Sequence, residues 1–170
     1  MEQKEMIDLL RQVASGTMDV EQAALKLKEE PFEDLGFAKI DHHRAMRQGV
    51  AEVIYGEGKT PEQIFRIAEA MKEKGQKAVL ITRMNKESAI YVGEHLELQY
   101  DEVSRIGFIG EAPIKDGDGK IVVATGGTSD IPVAEEAART AETLGNEVIR
   151  LYDVGVAGVH RLLGHLHELM

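Results

Sequence analysis

The sequence has no cysteine and no tryptophan, four prolines among 170 residues, and only 5% aromatic side chains. Without cysteine there is no disulfide, no thiolate ligand for zinc and no cysteine nucleophile. No apolar run approaches the roughly 20 residues a bilayer-spanning helix needs, and the opening Met1-Glu2-Gln3-Lys4-Glu5 lacks the pattern of a signal peptide. The expectation is a cytoplasmic protein with no membrane partner. Positive charge is also scarce: 20 Lys and Arg stand against 30 Asp and Glu, a net charge of −10. With no basic block and few aromatics, the electrostatic footprint of a nucleic-acid binder is missing. What is present, 43% hydrophobic and 29% charged residues, suits one ordinary domain or two small ones.

Residues 1–30 read as a helical hairpin. Leu9, Leu10 and Val13 form the apolar side of the first helix, and the Ser15-Gly16 turn ends it. Asp19 and Gln22 fit a capping box for the second, whose Ala24, Leu25 and Leu27 are expected to face inward. This hairpin is read as a packing or oligomer contact. Residues 31–112 read as a small α/β domain. "GFAKID" and "VAEVIYG" have strand character around a short helical "HHRAMRQG". Thr60, Pro61 and Gln63 begin a helix by N-cap, first-turn proline and capping-box glutamine. Ile64, Ile67, Ala68 and Met71 follow at helical spacing, with Gly75 as the stop. "AVLIT" at 78–82 is a buried strand, 85–96 a helix, and "SRIGFIG" at 104–110 a further strand.

Residues 113–119, within the turn-rich "EAPIKDGDGK", are the linker. Over 120–170 the pattern is β-α-β-α. "KIVVAT" has the continuous apolar run of a strand buried on both faces. The helix from Pro132 to Leu144 places Val133, Ala137, Ala141 and Leu144 on one side, and "EVIRLYDVG" and 157–169 supply the next strand and helix. The fold class is α/β, with the first half of a doubly wound, flavodoxin-like parallel sheet at the C-terminal end.

Three constellations carry candidate chemistry. "YGEGKTPE" lacks the glycine a Walker loop requires five positions before Gly58, where Val53 stands. It is a turn with a helix cap, leaving Lys59 as a candidate anion contact. In "DHHRAMRQG", Asp41 adjoins two histidines, and Arg44 and Arg47 share a helical face suited to a carboxylate or phosphate. A surface network with Asp34, Asp41 or Glu52 would use the same charges. Of His160, His165 and His167, the last two diverge on a helix, and no acidic partner stands at metal-ligand spacing, so no metal site is expected. The third constellation is "GGTSD". Ligands of open parallel sheets sit beyond the carboxyl ends of the strands. There Gly126 and Gly127 let backbone approach an anion, and the following helix start attracts negative charge. Thr128 and Ser129 offer hydroxyls, while Asp130 suits ribose or proton transfer. Asp153 and the loop down to His160-Arg161 should emerge at the same edge.

"GGTSDIPVAEEAARTAETLGNEVIRLYDVGVAGVHRLL" resembles the start of a PurE-type domain, the fold of phosphoribosyl-aminoimidazole carboxylase, in the variant found in the LarB family. "LGFAKIDHHRAMRQGVAEVIYGEGKTPEQI" resembles that family's separate N-terminal domain. The resemblance covers residues 31–170. It implies carboxylation of the pyridinium ring of nicotinic acid adenine dinucleotide, with carbon dioxide or bicarbonate as donor and no tightly bound cofactor. Cleavage of the phosphoanhydride then yields AMP and pyridinium-3,5-biscarboxylic acid mononucleotide. A homo-oligomer, octameric in PurE-type relatives, is implied as well. Ser129 and Asp130 match the PurE residues that meet phosphate and ribose. Either Asp153-Val154 or His160-Arg161 matches the PurE histidine loop, which makes His160 the implied proton-transfer group. Family members carry a further block with a cysteine that attacks the ring. Lacking it, this chain is expected to be inactive alone. The alternatives are an aminoimidazole ribonucleotide carboxylase and a non-catalytic nucleotide-binding or assembly module.

Overall fold

The computed structural model describes residues 3–29, 32–41, 52–111 and 114–165. Helices α1 (Gln3–Ala14) and α2 (Val20–Glu29) form the hairpin read from the sequence. Gly16 closes the turn at φ 71°, and Asp19 Oδ2 accepts from Glu21 N–H to start α2. The inward side differs from expectation. Leu9 and Ala23 are buried, whereas Leu10, Ala24 and Leu25 are exposed. Two short helices crossing each other bury a narrower stripe than a helix lying on a sheet.

Strands β1 (Phe32–Asp34) and β2 (Lys39–Asp41) form a small antiparallel hairpin. The rest of this unit is built from β3 (Val53–Tyr55), α3 (Pro61–Glu73), β4 (Ala78–Thr82), α4 (Lys86–Gly93), β5 (Leu98–Asp101) and β6 (Ile106–Gly110). The α3 start is as read: Thr60 Oγ1 accepts from Gln63 N–H, and Gln63 Oε1 accepts from Thr60 N–H. Sheet order is β3-β4-β6-β5, with β3 and β4 parallel and the other two neighbouring pairs antiparallel. β1 and β5 escape a reading by hydrophobic pattern. Each has three or four residues, and "LQYD" is half polar because only one of its faces is covered.

Cross-strand register sorts the sheet into two faces. Ile54, Val79, Ile81, Ile109, Leu98 and Tyr100 share one, and Ile64, Ile67, Ala68 and Met71 of α3 with Ala89 and Val92 of α4 complete that core. Leu80, Ile106 and Phe108 lie on the opposite face.

The C-terminal unit has β7 (Lys120–Ala124), α5 (Ile131–Thr143), β8 (Glu147–Leu151) and a short α6 (Val159–Leu163). β7 and β8 run parallel. The chain between the units folds against this unit, with Gly117 N–H donating to Gly145 O. Helix α5 is shared between two sheets. Its Ala134 and Ala138 are buried in packing on β7 and β8. Other sides of α5 meet the second face of the β3-β4-β6-β5 sheet. The layer order is therefore helices, sheet, helix, sheet.

One expectation for this unit is corrected. β7 is not buried on both faces; Ile121 is 40% and Val122 38% exposed. Among the described residues a single helix lies against this strand pair, and it covers one face. Val133, Ala137, Ala141 and Leu144, which the period places on one side of the helix, lie outside the core. Val133 is 68% exposed, and these residues line an open groove with Ile121. The packed side is the Ala134/Ala138 side.

Candidate functional site

The loops after β7 and β8 leave the same end of a parallel pair and lie in contact. Thr125, 6% exposed, joins them through three bonds. Its N–H donates to Leu151 O at 3.0 Å, its carbonyl accepts from Val154 N–H at 2.9 Å, and its Oγ1 accepts from Asp153 N–H at 3.0 Å. The last bond holds Asp153 at φ 59°, a left-handed conformation a non-glycine residue adopts only when its surroundings impose it. Above Thr125 the backbones of Gly126 and Gly155 touch. A Cβ on Gly155 would stand 3.2 Å from the Gly126 carbonyl carbon and closer still to its oxygen. Glycine is required there by space, since Gly155 has an ordinary φ of −60°.

Thr128–Asp130 form a single 3-10 turn that runs into α5, with Pro132 in its first turn. Asp130 Oδ2 accepts from Gly127 N–H at 3.1 Å, so one carboxylate oxygen shapes the turn. Thr128, Ser129 and Asp130 are all exposed. On the facing loop Asp153 Oδ2 pairs with Arg161 Nη1 at 2.6 Å. The guanidinium rests against Gly158, where a Cβ would meet Arg161 Nε at 2.7 Å. His160 lies exposed in the first turn of α6. The structure thus gathers Gly126, Gly127, Thr128, Ser129, Asp130, Asp153, His160 and Arg161 at one sheet end. An anion arriving there meets hydroxyls, a helix start and one arginine already neutralised by Asp153.

The N-terminal candidates are elsewhere. Asp41 ends β2 and its N–H donates to Glu52 Oε2 at 2.9 Å. Lys59 sits in the turn before α3 and borders a depression of about 330 Å³ with Phe37, Tyr55 and Ile67. Arg44 and Arg47, with the histidines before them, lie outside the described residues. A larger cleft of about 570 Å³ opens toward the far end of α5, between Phe108 and Asp101 on the sheet and Arg139 and Glu142 on the helix. Its size does not make it the better candidate. Its two acids are engaged, Asp101 with Ser104 and Glu142 with Arg150, and it lies at the wrong end of the parallel strands for the ligand position typical of such sheets.

Sequence reasoning missed the frame beneath the loops. Arg150 of β8 donates to both Glu135 and Glu142 of α5, at 2.6–3.2 Å. Two carboxylates hold the guanidinium charged, well above its ordinary range, and Arg150 in turn lowers Glu142. Tyr152 OH donates to Glu135 Oε1 at 2.7 Å; burial first, and then this bond, push the phenol up to about 12. These partners are 8 to 17 positions apart, beyond any helical or strand period, so no local spacing announces them.

Comparisons with known proteins bear on the family of the chain. Residues 32–111 match the family described as the LarB/PurE-like N-terminal domain. The chain is also 32% identical to an uncharacterized protein of Methanocaldococcus jannaschii over 174 aligned positions, covering 98% of this chain and 68% of that protein.

Proposed function

This chain belongs to the LarB family, and on that premise we propose that its two sheet-end loops hold the ribose and phosphate of a pyridine nucleotide. The nucleotide is nicotinic acid adenine dinucleotide, and the reaction it enters is carboxylation of the pyridinium ring followed by cleavage of the phosphoanhydride. The observation that carries this reading is the Thr125–Asp153 bond with the Gly126–Gly155 contact, which join the loop that bears Ser129 and Asp130 to the loop that bears Asp153 and Arg161.

Each residue has a role consistent with its surroundings. Ser129 and the amides opening α5 receive the phosphate. Asp130 keeps Oδ1 for a ribose hydroxyl while Oδ2 holds the turn. Arg161 shares its charge between Asp153 and the phosphate. Asp153 or His160 takes the ring proton when aromaticity is restored. In the ring chemistry a nucleophile adds to the electron-poor pyridinium, and the resulting enamine carbon attacks carbon dioxide. Loss of the ring proton and of the nucleophile then regenerates the aromatic ring. The sequence has no cysteine, so these residues supply binding and proton transfer but not a thiolate. That absence also favours a second reading, a nucleotide-binding or assembly module without turnover. No tightly bound cofactor is needed for either, and a homo-oligomer is part of the proposal.

The test is calorimetric titration of the chain with nicotinic acid adenine dinucleotide and with aminoimidazole ribonucleotide, followed by mass spectrometry after incubation with bicarbonate. Binding of the dinucleotide alone, with no carboxylated product, is expected. Preference for aminoimidazole ribonucleotide would favour the purine-type carboxylase instead. Carboxylated pyridinium made by this chain would overturn the division of labour proposed here.

A further inference from the structure

Arg83 follows β4 on the N-terminal unit, yet its side chain reaches the C-terminal one. Its Nε–H is shared between both carboxylate oxygens of Glu136 on α5, at 3.1 and 3.3 Å. Nη1 donates to Glu57 Oε2 at 3.3 Å, and the guanidinium carbon stands 5.8 Å from the centre of the Tyr55 ring. Tyr55 OH donates to the same Glu57 oxygen at 2.5 Å. The aim of this side chain is set by its backbone. Arg83 has φ 53°, and Arg105, also left-handed at φ 57°, donates from Nη2 to Arg83 O while its own carbonyl accepts from Met84 N–H. Gly56 packs on the same turn, with no room for a Cβ beside Thr82 O. Two left-handed arginines that support one another are an uncommon arrangement, and such strain persists where the surrounding structure fixes it.

Glu136 lies in the second turn of α5, six positions after Asp130. We infer that Arg83 is a positioning residue: by clasping Glu136 it sets the pose of α5 against the N-terminal unit, and with it the Ser129-Asp130 turn that opens α5. The inference rests on the nucleotide reading for its functional consequence but not for the clasp itself. It gives a unit that contributes none of the gathered loop residues a physical link to the helix that follows the Ser129-Asp130 turn. One helix is shared between two sheets, so tilting it against the first moves the binding turn on the second.

The chain's lack of cysteine makes the test clean, because two introduced cysteines are the only labelling sites. Spin labels at Glu69→Cys on α3 and Lys120→Cys on β7, both exposed, report the distance between units. Arg83→Gln, Glu136→Gln, the double variant and Arg83→Lys are compared with the parent. Each Gln variant should broaden the distance distribution and weaken dinucleotide binding about fivefold or more. The double variant should be no worse than the worse single, since both remove one interaction. Arg83→Lys should recover part of the parent's behaviour. High salt should broaden the parent and leave Arg83→Gln unchanged, because an exposed pair is screened within about 3 Å at 1 M. Unchanged distances in Arg83→Gln and Glu136→Gln, or additive losses in the double, would overturn the clasp. If the parent binds no nucleotide while the distances respond as described, the clasp stands and the nucleotide reading falls.

Discussion

Two neighbouring glycines provide a sharp steric test of the loop junction. An alanine at Gly155 would place its Cβ 3.2 Å from the carbonyl carbon and 3.3 Å from the Cα of Gly126, and closer still to the carbonyl oxygen. Comfortable carbon–carbon separations are about 3.5–4.0 Å. The two loops must part by something on the order of 1 Å, and both neighbours are backbone, which cannot rotate away. Overpacking of this kind costs about 1–3 kcal/mol. An alanine at Gly126 meets only Asp130 Oδ2 at 3.8 Å and Gly155 Cα at 4.0 Å, which are ordinary contacts. Neither glycine has a positive φ, so conformational strain does not separate the two. Gly126→Ala should be neutral or gain about 0.4–1 kcal/mol by stiffening the unfolded chain. Urea melts of the two variants should show Gly155→Ala alone losing stability, and dinucleotide titration of Gly155→Ala should show at least a tenfold loss in affinity. Equal behaviour of the two variants would refute the loop junction as described.

Thr125→Val keeps the shape but strands Asp153 N–H beneath the loop, at a cost of about 1–3 kcal/mol and with weakened nucleotide binding; thermal melts and calorimetry check both. Arg150→Met removes the shared partner of Glu135 and Glu142. Glu142 has a lowered pKa when folded, first because Arg150 bonds it, so its contribution to stability is present above its unfolded value of 4.5 and is lost as pH falls through the folded one. The parent should therefore lose stability on acidification below about pH 5, and Arg150→Met should show a shallower loss over the same range in melts at stepped pH. Ser88 is wholly buried, and its hydroxyl has no partner among the described residues. Ser88→Ala should be neutral or stabilising by up to about 1 kcal/mol in denaturant melts, and a loss larger than that would point to a partner for this hydroxyl.

Much of this protein could be read from local pattern. The α3 capping box, the apolar stripe behind it, the buried "AVLIT" strand and the β-α-β run around "GGTSD" are set by contacts within a few residues, or by periods of two and 3.6. Such signals are written into consecutive positions, and so is the resemblance that identifies the family. What packs against what was decided only in three dimensions. Val133, Ala137, Ala141 and Leu144 form an apolar stripe by period, yet the helix turns Ala134 and Ala138 to its strands. Arg150 with its two glutamates, Tyr152 on Glu135, the Thr125 bond to Asp153 and the Arg83 clasp all join residues too distant in sequence for any period to connect. A sequence records which faces are apolar and where helices begin; the partner each face meets depends on chain crossings that only the assembled layers create.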